Sequence, residues 1–264
     1  MKIEKFSPDL VVADFDGTIT QKLIEGTVVP SLISILRDYG LLDEDYSARA
    51  KKFYEHYSKF EIDPNLSKEE KFEKMKEWWT KHYELLKEKK LKLKDIEKAV
   101  NHEMIQVRKW FKEFLEELNN KKIPLIILSS SGLGEDSIRM TFEKFNLPLD
   151  NVVIISNKLN FNENGEFTGV DENSLIHWMN KRLKDHLNRI SDIIKGKNNV
   201  LLLGDNLHDT EMLEGMDFEK VLKIGFFLPK HDEDKERKSW EKVYDVILPA
   251  DASFDEVMNY LKLD

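Results

Sequence analysis

Six short apolar runs, separated by longer polar segments, limit the folds that this chain can adopt. Several runs are rich in valine and isoleucine, which is typical of buried strands in a parallel sheet. One intervening segment carries apolar residues at helical steps, namely Leu175, Met179, Leu183, Leu187 and Ile190. Alternating strands and helices predict an α/β domain with a mostly parallel sheet. We place the strands at residues 10–13, 123–128, 152–155, 200–203, 221–227 and 245–248.

The interval between the first two runs is too long for a simple crossover. It covers residues 14–122, whereas a crossover between parallel strands needs only about a dozen residues. Its helical spacing predicts a subdomain inserted after the first strand, with helices at 30–39, 44–58, 67–89 and 94–119. A separate hairpin is predicted within residues 159–170, where Asn164-Gly165 supplies a turn.

Composition excludes several functional classes. Hydrophobic residues make up 41% of the 264 and charged residues 34%, which indicates a soluble folded chain. A formal net charge of −9 argues against binding nucleic acid. The absence of cysteine excludes a disulfide framework, a cysteine nucleophile and a thiolate metal site. No apolar run is long enough to span a bilayer and residues 1–8 lack signal-peptide features, so we expect a cytoplasmic protein with no membrane partner.

The sharpest chemical feature is Asp14-Phe15-Asp16-Gly17-Thr18, directly after the first strand. An Asp/Gly turn at a strand end is the plainer interpretation. In the functional interpretation, the carboxylates lie at the carboxyl end of a parallel strand, where α/β sheets bind ligands. One of the two carboxylates could then attack a phosphorus atom while the other transfers a proton.

A second acidic cluster, Gly204-Asp205-Asn206-Leu207-His208-Asp209, follows the strand predicted at 200–203. Asp205 could simply cap a following helix. In the same parallel sheet, however, Asp205 and Asp209 would reach the edge that carries Asp14 and Asp16. Convergent carboxylate oxygens without sulfur suit a hard cation such as Mg²⁺. The two clusters together predict a magnesium site.

Two further segments are ambiguous by themselves. The run Ser129-Ser130-Ser131-Gly132-Leu133-Gly134 follows the strand predicted at 123–128. Its hydroxyl and backbone N–H groups could hold a phosphate, although a structural turn explains the same pattern. Lys181 lies off the apolar stripe, and a solvated lysine is its ordinary interpretation.

In this order, the four elements resemble the haloacid dehalogenase superfamily of phosphohydrolases. Longer stretches are similar to the cytosolic pyrimidine 5′-nucleotidase family. The resemblance implies a Rossmann-like α/β core of residues 1–24 and 118–264, with a helical cap of residues 25–117. The similar stretches include Glu61-Ile62-Asp63-Pro64, Met75-Lys76-Glu77-Trp78-Trp79-Thr80-Lys81, Leu175-Ile176-His177 with Asn180-Lys181, Leu222-Lys223-Ile224-Gly225-Phe226 and Tyr244-Asp245-Val246-Ile247-Leu248.

The resemblance also implies a role for each matched residue. Asp14 would be the nucleophile, and Asp16 the acid and base. Mg²⁺ would be held by the side chains of Asp14 and Asp205 and the backbone carbonyl of Asp16, with Asp209 close to the water shell of the metal. Substrate would be held by Ser130 and Lys181 at the phosphate and by Glu61, Trp79 and His82 in the cap. From the residues alone, Trp79 could equally pack the cap, as we expect of Phe72, Met75 and Leu86.

The implied activity is Mg²⁺-dependent hydrolysis of nucleoside 5′-monophosphates, preferably pyrimidines, through an aspartyl-phosphate. The alternatives are a small-metabolite phosphatase of the phosphoserine type and a non-catalytic nucleotide-binding module. Departures from the family leave substrate preference open. Among them, Gly17 replaces the usual Met, and Val107-Arg108-Lys109-Trp110 replaces a Leu-Arg-Asp/Glu-Gly sequence. The sequence does not indicate the oligomeric state.

Overall fold

The computed structural model describes residues 5–63, 65–171, 175–229 and 232–263. Residues 1–4, part of the N-terminal segment considered above, and Pro64 of the similar stretches lie outside this part of the chain. The strands are β1 (Leu10–Ala13), β2 (Leu23–Ile24), β3 (Thr27–Val28), β4 (Leu125–Leu128), β5 (Val152–Ile155), β6 (Leu159–Phe161), β7 (Phe167–Val170), β8 (Asn199–Gly204), β9 (Lys220–Phe227) and β10 (Val246–Pro249).

The helices complete the inventory of described elements. They are α1 (Leu32–Asp38), α2 (Glu44–Ile62), α3 (Lys68–Glu88), α4 (Leu93–Asn101), α5 (Phe111–Asn120), α6 (Gly134–Lys144), α7 (Leu187–Ile194), α8 (Glu233–Trp240) and α9 (Phe254–Met258). Short 3₁₀ helices cover Leu183–His186 and Leu207–Leu213.

A six-stranded sheet with the order β10-β9-β8-β1-β4-β5 forms the core, and every neighbouring pair in it is parallel. This confirms the predicted α/β fold, with strands at all six apolar runs. Ala13 at the end of β1 is in register with Ile127 of β4 and Leu203 of β8. The chain therefore leaves these three strands at the same edge of the sheet, where β1 lies between its two neighbours.

The insertion after β1 contains the β2–β3 hairpin and helices α1 to α4. Helix α3 begins with a capping box, in which Ser67 accepts from the amide of Glu70 and the Glu70 carboxylate accepts from that of Ser67. Met75 and Leu86 on this helix are fully buried, as predicted. Phe72 instead faces the core, with its ring 4.7 Å from that of His177.

The prediction of one helix over residues 94–119 is wrong. Helix α4 ends at Asn101 and α5 begins only at Phe111. Between them, Val107 forms an antiparallel bridge with Thr20, and Trp110 has a left-handed backbone with φ +64°. The apolar spacing continues across this break because both helices are amphipathic, but the intervening chain is committed to contacts with the core.

The helical spacing predicted from Leu175 to Ile190 is only partly correct. Residues 175–180 are not helical, because side chains take the hydrogen bonds that a helix would make. The Asn157 side chain accepts from the Ile176 amide, and that of Asn180 accepts from the His177 amide. Regular α-helix begins only at Leu187.

Helix α5 spans the predicted boundary between cap and core at residues 117 and 118. Its residues Phe111 and Phe114 pack on Phe254 of α9, with ring centroids 4.8 and 5.0 Å apart. This packing associates α5 with the sheet domain, and the division of the chain at residue 117 stays a prediction.

Arg108 ties the end of the insertion to the core. Its side chain is 2% exposed, and its guanidinium donates to the carbonyls of Gly17 and Thr18 at 2.6 and 2.9 Å. It also donates to the carbonyls of Ala250 and Ala252 at 2.8 and 2.6 Å. One buried cation therefore joins the loop after β1 to the segment after β10.

We predict that Arg108→Met lowers the free energy of unfolding by at least about 3 kcal/mol, because four buried carbonyls lose a charged donor. Urea denaturation measures the loss. The matched control is Arg139→Met on the exposed face of α6, where the change stays within about 0.5 kcal/mol. Equal stability of the two variants would contradict the proposed role of Arg108 in joining the two segments.

Candidate active site

A cavity of about 240 Å³ lies beyond the carboxyl ends of β1, β4 and β8. It brings together side chains that are far apart in the sequence and that follow different strands. The residues predicted for the reaction centre all line it: Asp14, Asp16, Ser130, Lys181, Asp205 and Asp209, together with Trp79 from the cap.

Lys181 lines this cavity and contacts two of its aspartates. It is 5% exposed, so its interpretation as a solvated lysine is wrong. Its Nζ atom donates to the carboxylate of Asp14 and, at 2.8 Å, to Oδ1 of Asp209. The irregular backbone before residue 181, held by Asn157 and Asn180, turns this lysine inward instead of leaving it on a helix surface.

Asp209 is held rigidly under the loop that follows β8. Its Oδ2 atom accepts from the amides of Asp205 and Asn206, both at 3.0 Å. Asn206, and not Asp205, caps the 3₁₀ helix that begins at Leu207. Gly204 makes this fold possible, because a Cβ atom there would lie 2.5 Å from Cβ of Asp209.

Without a bound metal ion, burial and mutual repulsion disfavour several ionised carboxylates in this cavity. Burial raises the pKa of Asp14, although Lys181 opposes the shift, and Asp209 and Asp205 raise it further. Burial, followed by repulsion from Asp205, raises the pKa of Asp16 to about 6. The pKa of Asp205 is raised chiefly by burial. A bound cation would relieve this repulsion.

The donor set fits a hard divalent cation. Asp14, Asp205 and Asp209 each offer a carboxylate oxygen, and these oxygens lie within 4.8 Å of one another. All are oxygen donors, as Mg²⁺ prefers. Asp16 lines the same cavity outside this carboxylate cluster, which is compatible with the backbone-carbonyl role implied for it.

The serine loop after β4 forms another wall of the cavity. Ser129 is 1% exposed and its hydroxyl accepts from the Ser131 amide at 3.2 Å. Ser131 is 4% exposed and its hydroxyl lies 3.3 Å from that of Ser137. Ser130 is more exposed than either neighbour, which favours it as the residue that meets a phosphate.

The cap side of the cavity is aromatic. Trp79 packs so closely on the serine loop that a Cβ atom at Gly132 would lie 2.7 Å from its ring. Trp178 also lines the cavity, and its ring centroid is 4.3 Å from that of His208. Trp178 is not among the predicted site residues, although it lies between the similar stretches Leu175-Ile176-His177 and Asn180-Lys181. Only the turn before Lys181 shows that it reaches the site.

Glu61 lies in a smaller cavity of about 130 Å³. Trp178 and His208 line both cavities, so Glu61 is separated from the aspartates by these two rings. A substrate contact for Glu61 stays a prediction.

His82 lies inside the cap and does not line either of these cavities. It is 4% exposed, and its Nε2 atom is 3.0 Å from the hydroxyl of Tyr46 on α2. Burial lowers the pKa of His82 to about 4. A substrate contact for His82 stays a prediction, whereas the structure shows it joining α2 to α3.

The comparisons with known proteins identify the family. The family model for pyrimidine 5′-nucleotidase (UMPH-1) matches residues 17–263. The chain belongs to the pyrimidine 5′-nucleotidase family. A human member, 7-methylguanosine phosphate-specific 5′-nucleotidase, is 33% identical over 254 residues, covering 96% of this chain and 83% of the relative.

Solved structures agree with the family assignment. The crystal structure of cytosolic 5′-nucleotidase IIIB bound to cytidine matches with a TM-score of 0.80 at 27% identity, covering 97% of this chain and 86% of that one. A substrate-bound phosphoserine phosphatase shares the fold, with a TM-score of 0.59 at 20% identity over 98% of this chain and all of the other (100%). These structures confirm the predicted fold, and the family model confirms the resemblance to the pyrimidine 5′-nucleotidase family.

Because the chain belongs to this family, it is an enzyme, a phosphatase of 5′-nucleotides. The alternative of a non-catalytic binding module is therefore wrong. The phosphoserine-type alternative is supported only at the level of fold. Within the described part of the chain, no helix has the length and apolar character needed to cross a membrane.

We predict that acid destabilises the cap through His82. Its pKa is about 4 in the folded chain and about 6.5 when unfolded, so the unfolded state binds the extra proton as the pH falls between these values. The free energy of unfolding that the neutral His82 side chain contributes is fully present above its unfolded pKa. At pH 5 this contribution is smaller by about 2 kcal/mol. Urea denaturation at pH 7 and pH 5 measures it.

The comparison variant is His82→Gln, which should lose less stability than wild type between these two pH values. His56→Gln, at an exposed position on α2, should keep the wild-type dependence. The interpretation is wrong if His82→Gln and wild type lose equal free energy on acidification.

Proposed function

We propose that this enzyme is a Mg²⁺-dependent 5′-nucleotidase that converts nucleoside 5′-monophosphates into nucleoside and phosphate through an aspartyl-phosphate. The observation that carries the proposal is the contact of Asp14, 7% exposed, with Lys181 beside the carboxylates of Asp205 and Asp209. A buried carboxylate held between a cation and a metal-binding cluster is suited to attack a phosphate ester.

In the first step, a carboxylate oxygen of Asp14 forms a bond to phosphorus as the bond from phosphorus to the nucleoside 5′-oxygen breaks. Asp16 donates its proton to that oxygen, so the nucleoside leaves as a neutral alcohol. In the second step, Asp16 accepts a proton from water, which attacks the same phosphorus and releases Asp14 and inorganic phosphate. The raised pKa of Asp16, about 6, supports a group that exchanges protons near neutrality.

The remaining residues hold the phosphate and offset its charge. Lys181 attracts the equatorial oxygens while it orients Asp14, and the serine loop donates from Ser130. A divalent cation at Asp14, Asp205 and Asp209 would supply further neutralisation of the developing charge. Trp79 and the cap exclude water from this space, which strengthens each of these attractions.

The nucleobase would extend past Trp178 toward Glu61, because the two adjoining cavities share Trp178 and His208. Aromatic walls stack on any base, and pyrimidine monophosphates are the substrates expected from the sequence. The human relative is named for 7-methylguanosine phosphate, and the solved relative binds cytidine. A 7-methylguanine ring is cationic, so it would gain from both the tryptophans and the Glu61 carboxylate. We therefore include 7-methylguanosine 5′-monophosphate among the proposed substrates.

The location proposed for this enzyme is the cytoplasm, in line with the name of a cytosolic 5′-nucleotidase among its relatives. Small-molecule nucleotides are its proposed partners.

We predict that Asp14→Asn lowers kcat by at least about 10³-fold, because the amide is a poor nucleophile for phosphorus. Asp192→Asn on the exposed surface of α7 is the matched control and keeps wild-type activity. Rapid acid quench with ³²P-labelled UMP should trap label on wild type, removable by hydroxylamine, and none on Asp14→Asn. Full activity of Asp14→Asn would refute the assignment of the nucleophile.

A substrate panel tests the base site. UMP, CMP and 7-methylguanosine 5′-monophosphate should be hydrolysed with higher kcat/KM than phosphoserine, which has no base. Trp79→Leu should raise KM for the nucleotides about tenfold, the loss expected for one stacking contact, with a smaller effect on phosphoserine. Glu61→Gln should reduce activity on the methylated nucleotide more than on CMP. A wild-type preference for phosphoserine over every nucleotide would favour the phosphoserine-type alternative.

A further inference from the structure

Lys22 is a second lysine in the cavity lined by Asp14, Asp205 and Asp209. The reaction described above does not use it. Its Nζ atom lies 2.7 Å from Oδ2 of Asp205, with 28% of the Lys22 side chain and 9% of the Asp205 side chain exposed. Its backbone carbonyl accepts from the Val29 amide at 3.0 Å, which fixes Lys22 at the base of the β2–β3 hairpin. The hairpin therefore presents a lysine to one of the clustered acids.

Gly17 leaves the space through which this lysine reaches Asp205. Its φ is +80°, and a Cβ atom there would lie 2.5 Å from Oδ2 of Asp205 and 2.8 Å from Cδ of Lys22. A side chain at this position would have to displace the ion pair. The pairing of Lys22 with Asp205 thus depends on the one residue that separates Asp16 from Thr18.

With Lys22 in place, each of the three clustered carboxylates has a lysine partner. Lys181 contacts Asp14 and Asp209, and Lys22 contacts Asp205. These are the same three carboxylates whose oxygens lie within 4.8 Å of one another. A divalent cation that binds all three would share the Asp205 carboxylate with the positive charge of Lys22 and be repelled by it.

A second cavity can accept the Lys22 side chain when it leaves Asp205. Lys22 lines this cavity, of about 230 Å³, whose walls include Asp205, Asn206 and, on α8, Glu236 and Trp240. A flexible lysine stem can turn into this space and keep its charge near the Glu236 carboxylate.

We propose that Lys22 is a built-in counter-ion of Asp205 that competes with the divalent cation and so sets the metal affinity of the enzyme. The inference rests on the proposed function in that the aspartate cluster binds Mg²⁺. Lys22 stabilises the metal-free site, and metal binding displaces it, which couples occupancy of the site to the β2–β3 hairpin beside the cap.

The test is calorimetric titration of Mg²⁺ into the full-length, metal-stripped protein, with no substrate present. Lys22→Met and Lys22→Gln should bind Mg²⁺ at least about tenfold more tightly than wild type, since a positive charge next to the ion has been removed. Lys22→Arg, which keeps the charge, should bind within about threefold of wild type. Lys220→Met is the matched control, because it makes the same charge change at the amino end of β9, whereas the aspartates lie beyond the carboxyl ends of the strands.

Thermal denaturation supplies an independent readout. Metal-free Lys22→Met should melt at a lower temperature than wild type because Asp205 loses its partner, and Mg²⁺ should raise its melting temperature by more. If both neutral variants bind Mg²⁺ no more tightly than wild type, the inference about Lys22 is wrong. The proposed function is not affected by that result. If neither wild type nor any variant binds Mg²⁺, the inference and the proposed magnesium dependence both fail.

Discussion

Repulsion among carboxylates gathered at one edge of the sheet is the constraint on which the rest of this structure depends. Asp14, Asp205 and Asp209 are largely buried, and their oxygens approach within 4.8 Å. Such a cluster is unfavourable unless cations and donors surround it. Lys181 and the amides after Gly204 supply part of this compensation. The charge that remains makes the cavity suited to a divalent ion and, with it, to a phosphate group.

In the proposed function, most of the chemistry and part of the recognition come from different parts of the chain. The acids and Lys181 belong to the sheet domain, and the parallel register of β1 and β8 holds the two acidic loops side by side. Glu61 and Trp79 come from the insertion, where Trp79 packs on the serine loop, whereas Trp178 comes from the sheet domain. In the proposed function the insertion supplies part of the nucleobase site, so a fold shared with a phosphoserine phosphatase can serve a nucleotidase.

The places where sequence reasoning failed share one physical cause. The apolar spacing over residues 94–119 and from Leu175 to Ile190 is real, yet helices stop where the backbone forms hydrogen bonds outside the helical pattern. Between α4 and α5 the Arg108 amide donates to the Ile19 carbonyl, and before Lys181 the side chains of Asn157 and Asn180 accept from backbone amides. Helical periodicity reports only local preference, which such distant partners override.

The strands, their order along the chain and the acidic motifs that follow them are local patterns, so the amino-acid sequence alone was sufficient to predict the α/β core, the helical insertion and the candidate aspartates. The resemblance to a known family added roles for Lys181 and Glu61 that the residues alone did not indicate. Tertiary structure decided that Lys181 is buried against two acids, that Trp178 faces the cavity, that His82 joins cap helices and that Lys22 pairs with Asp205. These outcomes depend on distances between segments far apart in the chain, and a side chain's burial and charge partners are set only when those segments pack together.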